Sequence, residues 1–186
     1  KNELNDLGYA VKNIKKLMGK PVLYYPAIAA KKIKNIDYFY VSSDDNKILN
    51  IAKKYGFKKI KRPKKLSRAN SLHGDVIIHS LEHLKKQNIY KNIIVVLLAN
   101  APIIKKEWIE RCIKILQKRN ATAVVPVNQD NDKHPFRSKK LNKNYLVPYF
   151  KFKKKLSSNR QDLQKCFFLC HNFWVIKTNT VYKKNG

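Results

Sequence analysis

Four groups of residues have the types and spacing to do chemistry. Ala99-Asn100-Ala101-Pro102 is a small loop placed directly after six consecutive apolar residues, Ile93 to Leu98. In open α/β sheets, ligands bind beyond the carboxyl ends of strands, where backbone N–H groups point outward. This loop is therefore expected to face a site. His79 and His83 stand one helical turn apart, but no acidic or third ligand accompanies them, so they read as surface histidines rather than a metal pair. Asp44-Asp45 precedes a helical stretch, a position that favours capping over cation binding. Cys166 and Cys170, with His171 adjoining, form a CxxxC that no second pair completes into a zinc site. Together with Cys112 they read as buried or idle thiols.

The elements that must position these groups follow from periodicity. The run Ile93 to Leu98 is short, β-branched and uncharged, the pattern of a parallel strand buried on both faces at the middle of a sheet. Lys12 and Asn13 fall where a loop leads into the first helix, and a helix is expected from about Val22 to Ile33 despite Pro26. Asp37 to Ser43 reads as a strand, Asn46 to Tyr55 as a helix closed by Gly56, and Lys58 to Lys61 as an edge strand running into Arg62-Pro63. A polar loop containing Ser71 leads to a helix over Asp75 to Gln87. After the central strand comes an amphipathic helix, Lys106 to Arg119, with Trp108, Ile109, Ile113 and Leu116 inward, then a buried strand, Ala121 to Val127. This β-α-β-α alternation implies a parallel sheet. The rhythm breaks at the loop Asp130 to Arg137. An aromatic strand or arm follows at Tyr145 to Phe152, and Cys166 to Ile176 returns a strand to the sheet.

With 186 residues, 44% of them apolar, one substantial core and a single domain spanning 1–186 are expected. No run of 18 apolar residues offers a membrane span and the first residues lack an apolar signal core, so the chain reads as soluble and intracellular, with no membrane partner. The net charge of +29 suggests nucleic acid, yet only six of the 41 basic residues are Arg and 35 are Lys. Lys, Asn, Ile and Tyr share AT-rich codons, and genomic drift scatters Lys over every solvated face, whereas selected nucleic-acid surfaces favour Arg forks with interleaved aromatics. Either origin predicts weak, nonspecific polyanion binding at low salt.

The stretches taken in order resemble the CMP-N-acylneuraminate cytidylyltransferase family, which activates sialic, legionaminic or pseudaminic acid. The matching landmarks are Lys12-Asn13 with Gly19-Lys20-Pro21, VSSDD at 41–45, IAKKYG at 51–56, Arg62-Pro63, DVIIHSLEHL at 75–84, the Asn-Ala-Pro loop, KHPF at 133–136 and RQD at 160–162. The resemblance implies an α/β, GT-A-like (nucleotide-diphospho-sugar transferase) three-layer fold with a mostly parallel central sheet and a small dimerisation arm over 137–160. It implies transfer of CMP from CTP to an acidic nine-carbon 2-keto sugar, release of pyrophosphate, Mg²⁺ as cofactor, a homodimer, a cytoplasmic location and a place in lipopolysaccharide or capsule synthesis. Such chemistry rests on positioning and on cationic stabilisation of phosphate charge.

By the same resemblance, Lys12 and Lys20 stand beside the triphosphate as catalytic residues. Asn13, Arg62, Ser71, Ala99, Asn100 and Ala101 border the nucleotide. Lys139, Lys140, Arg160 and Gln161 handle the acidic sugar, where a guanidinium fork suits a carboxylate. The sequence also departs from the family. Nothing before Lys12 supplies the family's first buried strand or its Arg- and Gly-rich loop, Asn100 stands where Kdo-specific relatives place an Asp, and the sequence stops before the Asp-rich segment that supplies metal ligands. The metal ligands are therefore unassigned. A fragment of a longer enzyme, a divergent enzyme, an inactive paralogue and a basic nucleic-acid-binding protein all remain open readings at this point.

Overall fold

A computed structural model describes residues 9–151 and 159–183. They fall into two compact units, the first from the described parts of Lys1–Pro126 and His171–Gly186, the second from those of Val127–Cys170. The first unit begins with α1 (Tyr9–Ile14), which contains Lys12 and Asn13; the sequence had suggested a loop there. A small hairpin follows, β1 (Lys16–Leu17) and β2 (Lys20–Pro21). Its turn is made by Met18 and Gly19, both at positive φ, the geometry whose twist matches paired strands. α2 (Tyr24–Lys31) tolerates Pro26 because its first-turn N–H groups have no intrahelical partner in any case.

β3 (Tyr40–Ser43) and β4 (Lys58–Lys61) pair in parallel through α3 (Asn46–Lys54), with Ser42 opposite Ile60. The Asp45 carboxylate accepts from the Lys47 N–H at 2.6 Å, which starts α3, and Gly56 at φ +80 ends it. Then come α4 (His73–Lys85), β5 (Ile93–Leu97), α5 (Lys106–Lys118) and β6 (Ala123–Val124). The chain returns from the second unit as β11 (Phe173–Lys177) and ends in α6 (Thr178–Val181).

β11 lies between β5 and β6 and is antiparallel to both. The expected mostly parallel sheet is thus reduced, among the described residues, to the β3–β4 pair, while β5 and β6 share a direction across an opposed neighbour. Parallel neighbours need a crossover, and β11 is delivered by the turn at His171-Asn172 instead of a helix. β5 is accordingly not the buried centre that its apolar run suggested. Ile93, Val95 and Leu97 pack on the core, but all five of its residues remain partly exposed. β11 takes that place, with Phe173 and Val175 at 0% exposure.

The main core joins Phe173 and Val175 to Ile33 and to Ile109, Cys112 and Leu116 of α5, a spacing that fills one helical stripe. Trp108, expected inward, is 38% exposed and lies under the Lys105 ammonium at 5.6 Å. Cys112 takes the inward position instead, and burial raises its thiol pKa. A second cluster seats Leu23, Ile48 and Ala52 against Ile14, Val41, Phe57 and Ala99.

In the second unit β7 (Val127–Gln129) pairs antiparallel with β10 (Phe167–Leu169). The single strand expected over Ala121 to Val127 is therefore two pieces broken at Pro126, which donates no ladder hydrogen bond. The expected return strand Cys166 to Ile176 is likewise divided between β10 and β11. β8 (Lys139–Asn142) and β9 (Tyr145–Pro148) form a hairpin inside the expected arm. Phe152, which ended the predicted aromatic strand, lies outside the described residues.

The Ile109→Ala variant is expected to lose about 2–5 kcal/mol of stability in urea titration, since it leaves a cavity against Phe173 and Leu116. Trp108→Ala is expected to lose at most about 1 kcal/mol. Comparable losses would restore Trp108 to the core.

Candidate functional site

Ser43, buried at the end of β3, joins two loops of the first unit. Its hydroxyl accepts from the Asp45 N–H at 3.1 Å, and its carbonyl accepts from the Arg62 N–H at 3.0 Å. This second bond continues the β3–β4 ladder one residue past β4, so Arg62 is held in register beside Ser43. One Arg62 Nη lies 3.8 Å from the Asp44 carboxylate, a loose, partly exposed ion pair that contributes little by itself. Ser71 is held by its own loop. Its hydroxyl accepts from the Arg68 N–H and donates to the Lys65 carbonyl, fixing the segment that follows Arg62.

The loop Ala99-Asn100-Ala101 is seated through Ala99 on the core cluster that also takes Val41 of β3. Val41 and Ala99 belong to one cluster with Ile14, the residue that ends α1, and the Leu23 N–H donates to the Asn13 carbonyl at 3.0 Å. The Ala101 N–H closes a turn on Leu98 O, leaving the Asn100 side chain exposed. Lys12 is exposed on the last turn of α1, and Lys20 projects from the β1–β2 hairpin with its ammonium 5.8 Å from the Tyr24 ring. The structure therefore holds Arg62 at the carboxyl end of β3, the end where α/β sheets take ligands, and seats Ile14 of α1 and Ala99 on the core cluster that includes Val41 of the same strand.

The remaining expected residues lie in the second unit. Lys139 and Lys140 are exposed on β8. Arg160 and Gln161 open a 3-10 turn capped by Asn159, and the Arg160 guanidinium contacts the Asp132 carboxylate at 2.6 Å. Asn131 organises this corner by donating to the carbonyls of Arg160 and Leu163 and accepting from the Cys166 N–H. Asp130 caps the turn below. Burial pushes its carboxyl upward, but hydrogen bonds from Lys133 and Asp132 outweigh this and hold the pKa below the ordinary range. His134 of the KHPF stretch is buried, and its Nδ1 accepts from the Phe136 N–H, so it shapes the loop and does not reach outward.

No group of three His, Cys, Asp or Glu side chains able to hold a metal stands together among the described residues. Asp45 is engaged as a helix cap and Asp44 faces Arg62. This donor set does not fit a resident metal, and no chemical step is assigned to one.

Sequence reasoning passed over Ser42 and read His79 as a surface histidine, whereas Ser42 Oγ and His79 Nδ1 are enclosed. The signal for them was alternation along β3: Val41 and Ser43 face α3, so Tyr40 and Ser42 face α4, where His79 and His83 are spaced one turn apart.

One parallel strand pair, an α/β alternation and Arg62 at a strand end define an α/β protein with a candidate ligand site, and comparisons with known proteins narrow the class. The cytidylyltransferase family model matches residues 9–171, and the chain belongs to that family of nucleotidyltransferases. It is 30% identical over 159 residues to the pseudaminic acid cytidylyltransferase of Campylobacter jejuni serotype O:2, covering 84% of this chain and 67% of the relative. Among solved structures, a CMP:2-keto-3-deoxy-manno-octonic acid synthetase complexed with CTP superposes with a TM-score of 0.66 at 14% identity, over 94% of this chain and 70% of that one. The 4-diphosphocytidyl-2C-methyl-D-erythritol synthase of Anaerococcus prevotii gives a TM-score of 0.55 at 16% identity, over 90% and 64%. These likenesses show the α/β fold.

If Asp45 is a cap, Asp45→Ala is expected to cost about 1 kcal/mol, and millimolar Mg²⁺ without nucleotide is expected to leave the melting temperatures of wild type and variant unchanged. Selective stabilisation of the wild type by Mg²⁺ would instead make Asp45 a metal ligand.

Proposed function

We propose that this chain is the nucleotidyl-transfer domain of a CTP-dependent synthetase that activates an acidic nine-carbon 2-keto sugar of the pseudaminic or sialic acid type. The observation that carries the reading is the family match across residues 9–171, supported by Arg62 at the end of β3 and by Ala99 in the core cluster that the same strand enters. In the proposed reaction a sugar hydroxyl oxygen attacks the α-phosphorus of CTP. The new O–P bond gives the CMP-sugar, the bond to the β-phosphate breaks, and pyrophosphate leaves.

In this reading the Lys12 and Lys20 ammoniums stabilise charge on the triphosphate, and Arg62, Asn13 and Ser71 hold the nucleotide beside Ala99, Asn100 and Ala101. Lys139, Lys140, Arg160 and Gln161 take the acidic sugar. Arg160 has two Nη groups to share between Asp132 and an incoming carboxylate. Mg²⁺ is proposed to enter with CTP and to neutralise phosphate charge when bound. The GT-A-like architecture, a cytoplasmic location and a role in cell-surface glycan synthesis belong to the same proposal. So does the association of two copies through the β8–β9 hairpin, where Leu141, Tyr145 and Leu146 are each more than 70% exposed, an apolar surface of the kind that interfaces bury. The lysine surface adds weak polyanion binding at low salt.

Pyrophosphate release from CTP with a panel of nine-carbon acids tests the chemistry. Turnover with at least one acid is expected, and Arg160→Ala is expected to raise the KM for that acid ~10- to 100-fold while moving the CTP KM much less. Absence of turnover with every acid, in a chain that still binds CTP, would favour an inactive paralogue. For association, Leu146→Asp is expected to convert a sedimenting dimer to a monomer, and a wild type that is already monomeric at tens of micromolar would remove the dimer from the account.

A further inference from the structure

Among the described residues, three side-chain atoms are enclosed without a hydrogen-bond partner: Ser42 Oγ, Arg62 Nε and His79 Nδ1. Buried polar groups are normally satisfied, and an orphan costs its full desolvation. Ser42 and Arg62 belong to one face of the β3–β4 pair, and His79 lies on α4, which contacts that face. In a parallel ladder, register partners point to the same side, so Tyr40 and Ser42 share a face with Lys58, Ile60 and, one step on, Arg62. Observed contacts settle which face this is. The Tyr40 hydroxyl donates to Gln87 at the end of α4 at 2.7 Å, its ring meets His83 edge-on, and the Lys58 ammonium lies over the same ring. The opposite face carries Lys59 and Lys61, which donate to Asn50 and Asn46 of α3.

α4 thus lays two histidines over β3. His83 is satisfied, with its Nε2 at 2.9 Å from Gln87 Nε2. His79, one turn earlier, is close enough to Arg62 and Lys65 for their charges to act on it, and its Nδ1 has no such partner. The chemical roles of the orphans are complementary: Arg62 Nε–H is only a donor, a neutral imidazole nitrogen accepts, and a hydroxyl does either. His79 is kept neutral chiefly by burial, then by the positive groups around it, His83 and Lys86 on its own helix and Arg62 and Lys65 from the strand side. Asp75 stands one turn before His79 on α4, and Asp44, at the end of β3, is paired with Arg62.

We propose that His79 is a positioning residue for Arg62, accepting from Nε–H directly or through Ser42 or one enclosed water, so that the guanidinium is aimed with its Nη groups toward the nucleotide. The inference rests on the reading of Arg62 as a nucleotide contact. Its sign with pH follows from the acceptor role. The His79 pKa lies below the ordinary histidine value, about 6.5, so above that value His79 is neutral and the arrangement is intact. As pH falls through the lowered pKa, His79 gains a proton, loses the acceptor and repels Arg62.

The test is CTP binding by calorimetry between pH 5 and 8 for the wild-type chain, His79→Asn and His79→Leu, with folding checked by circular dichroism. Asn places an oxygen near Nδ1 but does not titrate. His79→Asn is expected to bind CTP within about threefold of wild type at pH 7.5 and to lack the wild type's extra weakening at acidic pH. His79→Leu is expected to bind about tenfold or more weakly at pH 7.5. Titration of CTP itself affects all three proteins equally, so the difference between wild type and His79→Asn isolates His79. Equal binding by the Leu variant, or an identical pH profile for the Asn variant, would overturn the proposal while leaving the nucleotide reading intact. Wild-type protein that binds no CTP would overturn both.

Discussion

The first unit's site depends on the parallel ladder between β3 and β4 and on the single hydrogen bond that extends it, from the Arg62 N–H to the Ser43 carbonyl at 3.0 Å. That bond fixes the backbone of Arg62 to a buried residue, so the guanidinium is carried by the sheet and not by the polar loop that follows. The same Ser43 accepts from the Asp45 N–H and so sets where α3 begins. One buried serine therefore fixes both the arginine and the helix that packs Ile48 and Ala52 under the site. Ala99, in the loop after β5, packs on this cluster as well, so the loop expected to border the nucleotide shares its core with β3 and α3. A site built from backbone pairing and small buried residues keeps its geometry even when its exposed lysines sample many rotamers.

Much of this was legible in the sequence because the informative residues have local consequences. Asp45 before α3 and Gly56 after it are punctuation whose effect needs no tertiary partner, and both stand where expected. The spacing of Ile109, Ile113 and Leu116 marked the inward stripe of α5, to which the structure adds Cys112. Trp108 misled because a large aromatic next to that stripe looks inward by type, while the helical angle places it on the rim under Lys105. Ile93 to Leu98 misled in another way. An apolar run reports that a strand packs on something, not which strand pairs with it, and the partner β11 comes from 80 residues farther along the chain. Non-local pairing of this kind leaves no trace in local periodicity.

His79 was the more instructive miss. As a sequence feature it belonged to a histidine pair with no third ligand, and a surface role followed. Its meaning appears only when the α4 face is laid over Tyr40 and Ser42, with Arg62 brought up by the ladder. Lys12, Lys20, Lys139 and Lys140 remain hard to single out for the opposite reason. Among 35 lysines, type carries little information, and the structure distinguishes them by location alone: the end of α1, a small hairpin, and β8 of the second unit. Arg is rare here, so Arg62 and Arg160 carry more information per residue, and each is found next to a carboxylate, Asp44 and Asp132. The Arg160 pair is close, at 2.6 Å, whereas that of Arg62 is loose, at 3.8 Å, so Arg62 is held chiefly through its backbone.

The central claim is that the β3 end holds a cytidine nucleotide, and the most direct test is thermal protection of the chain by CTP, ATP, GTP and UTP, each with Mg²⁺. Working at ~150 mM salt screens nonspecific attraction to the lysine surface. A ligand that binds only the folded state at about 100 times its Kd stabilises it by about 2.7 kcal/mol. The account predicts a rise in melting temperature with CTP that the other three nucleotides do not match. Equal small shifts from all four would contradict it and reduce the site to a basic surface that responds to any triphosphate.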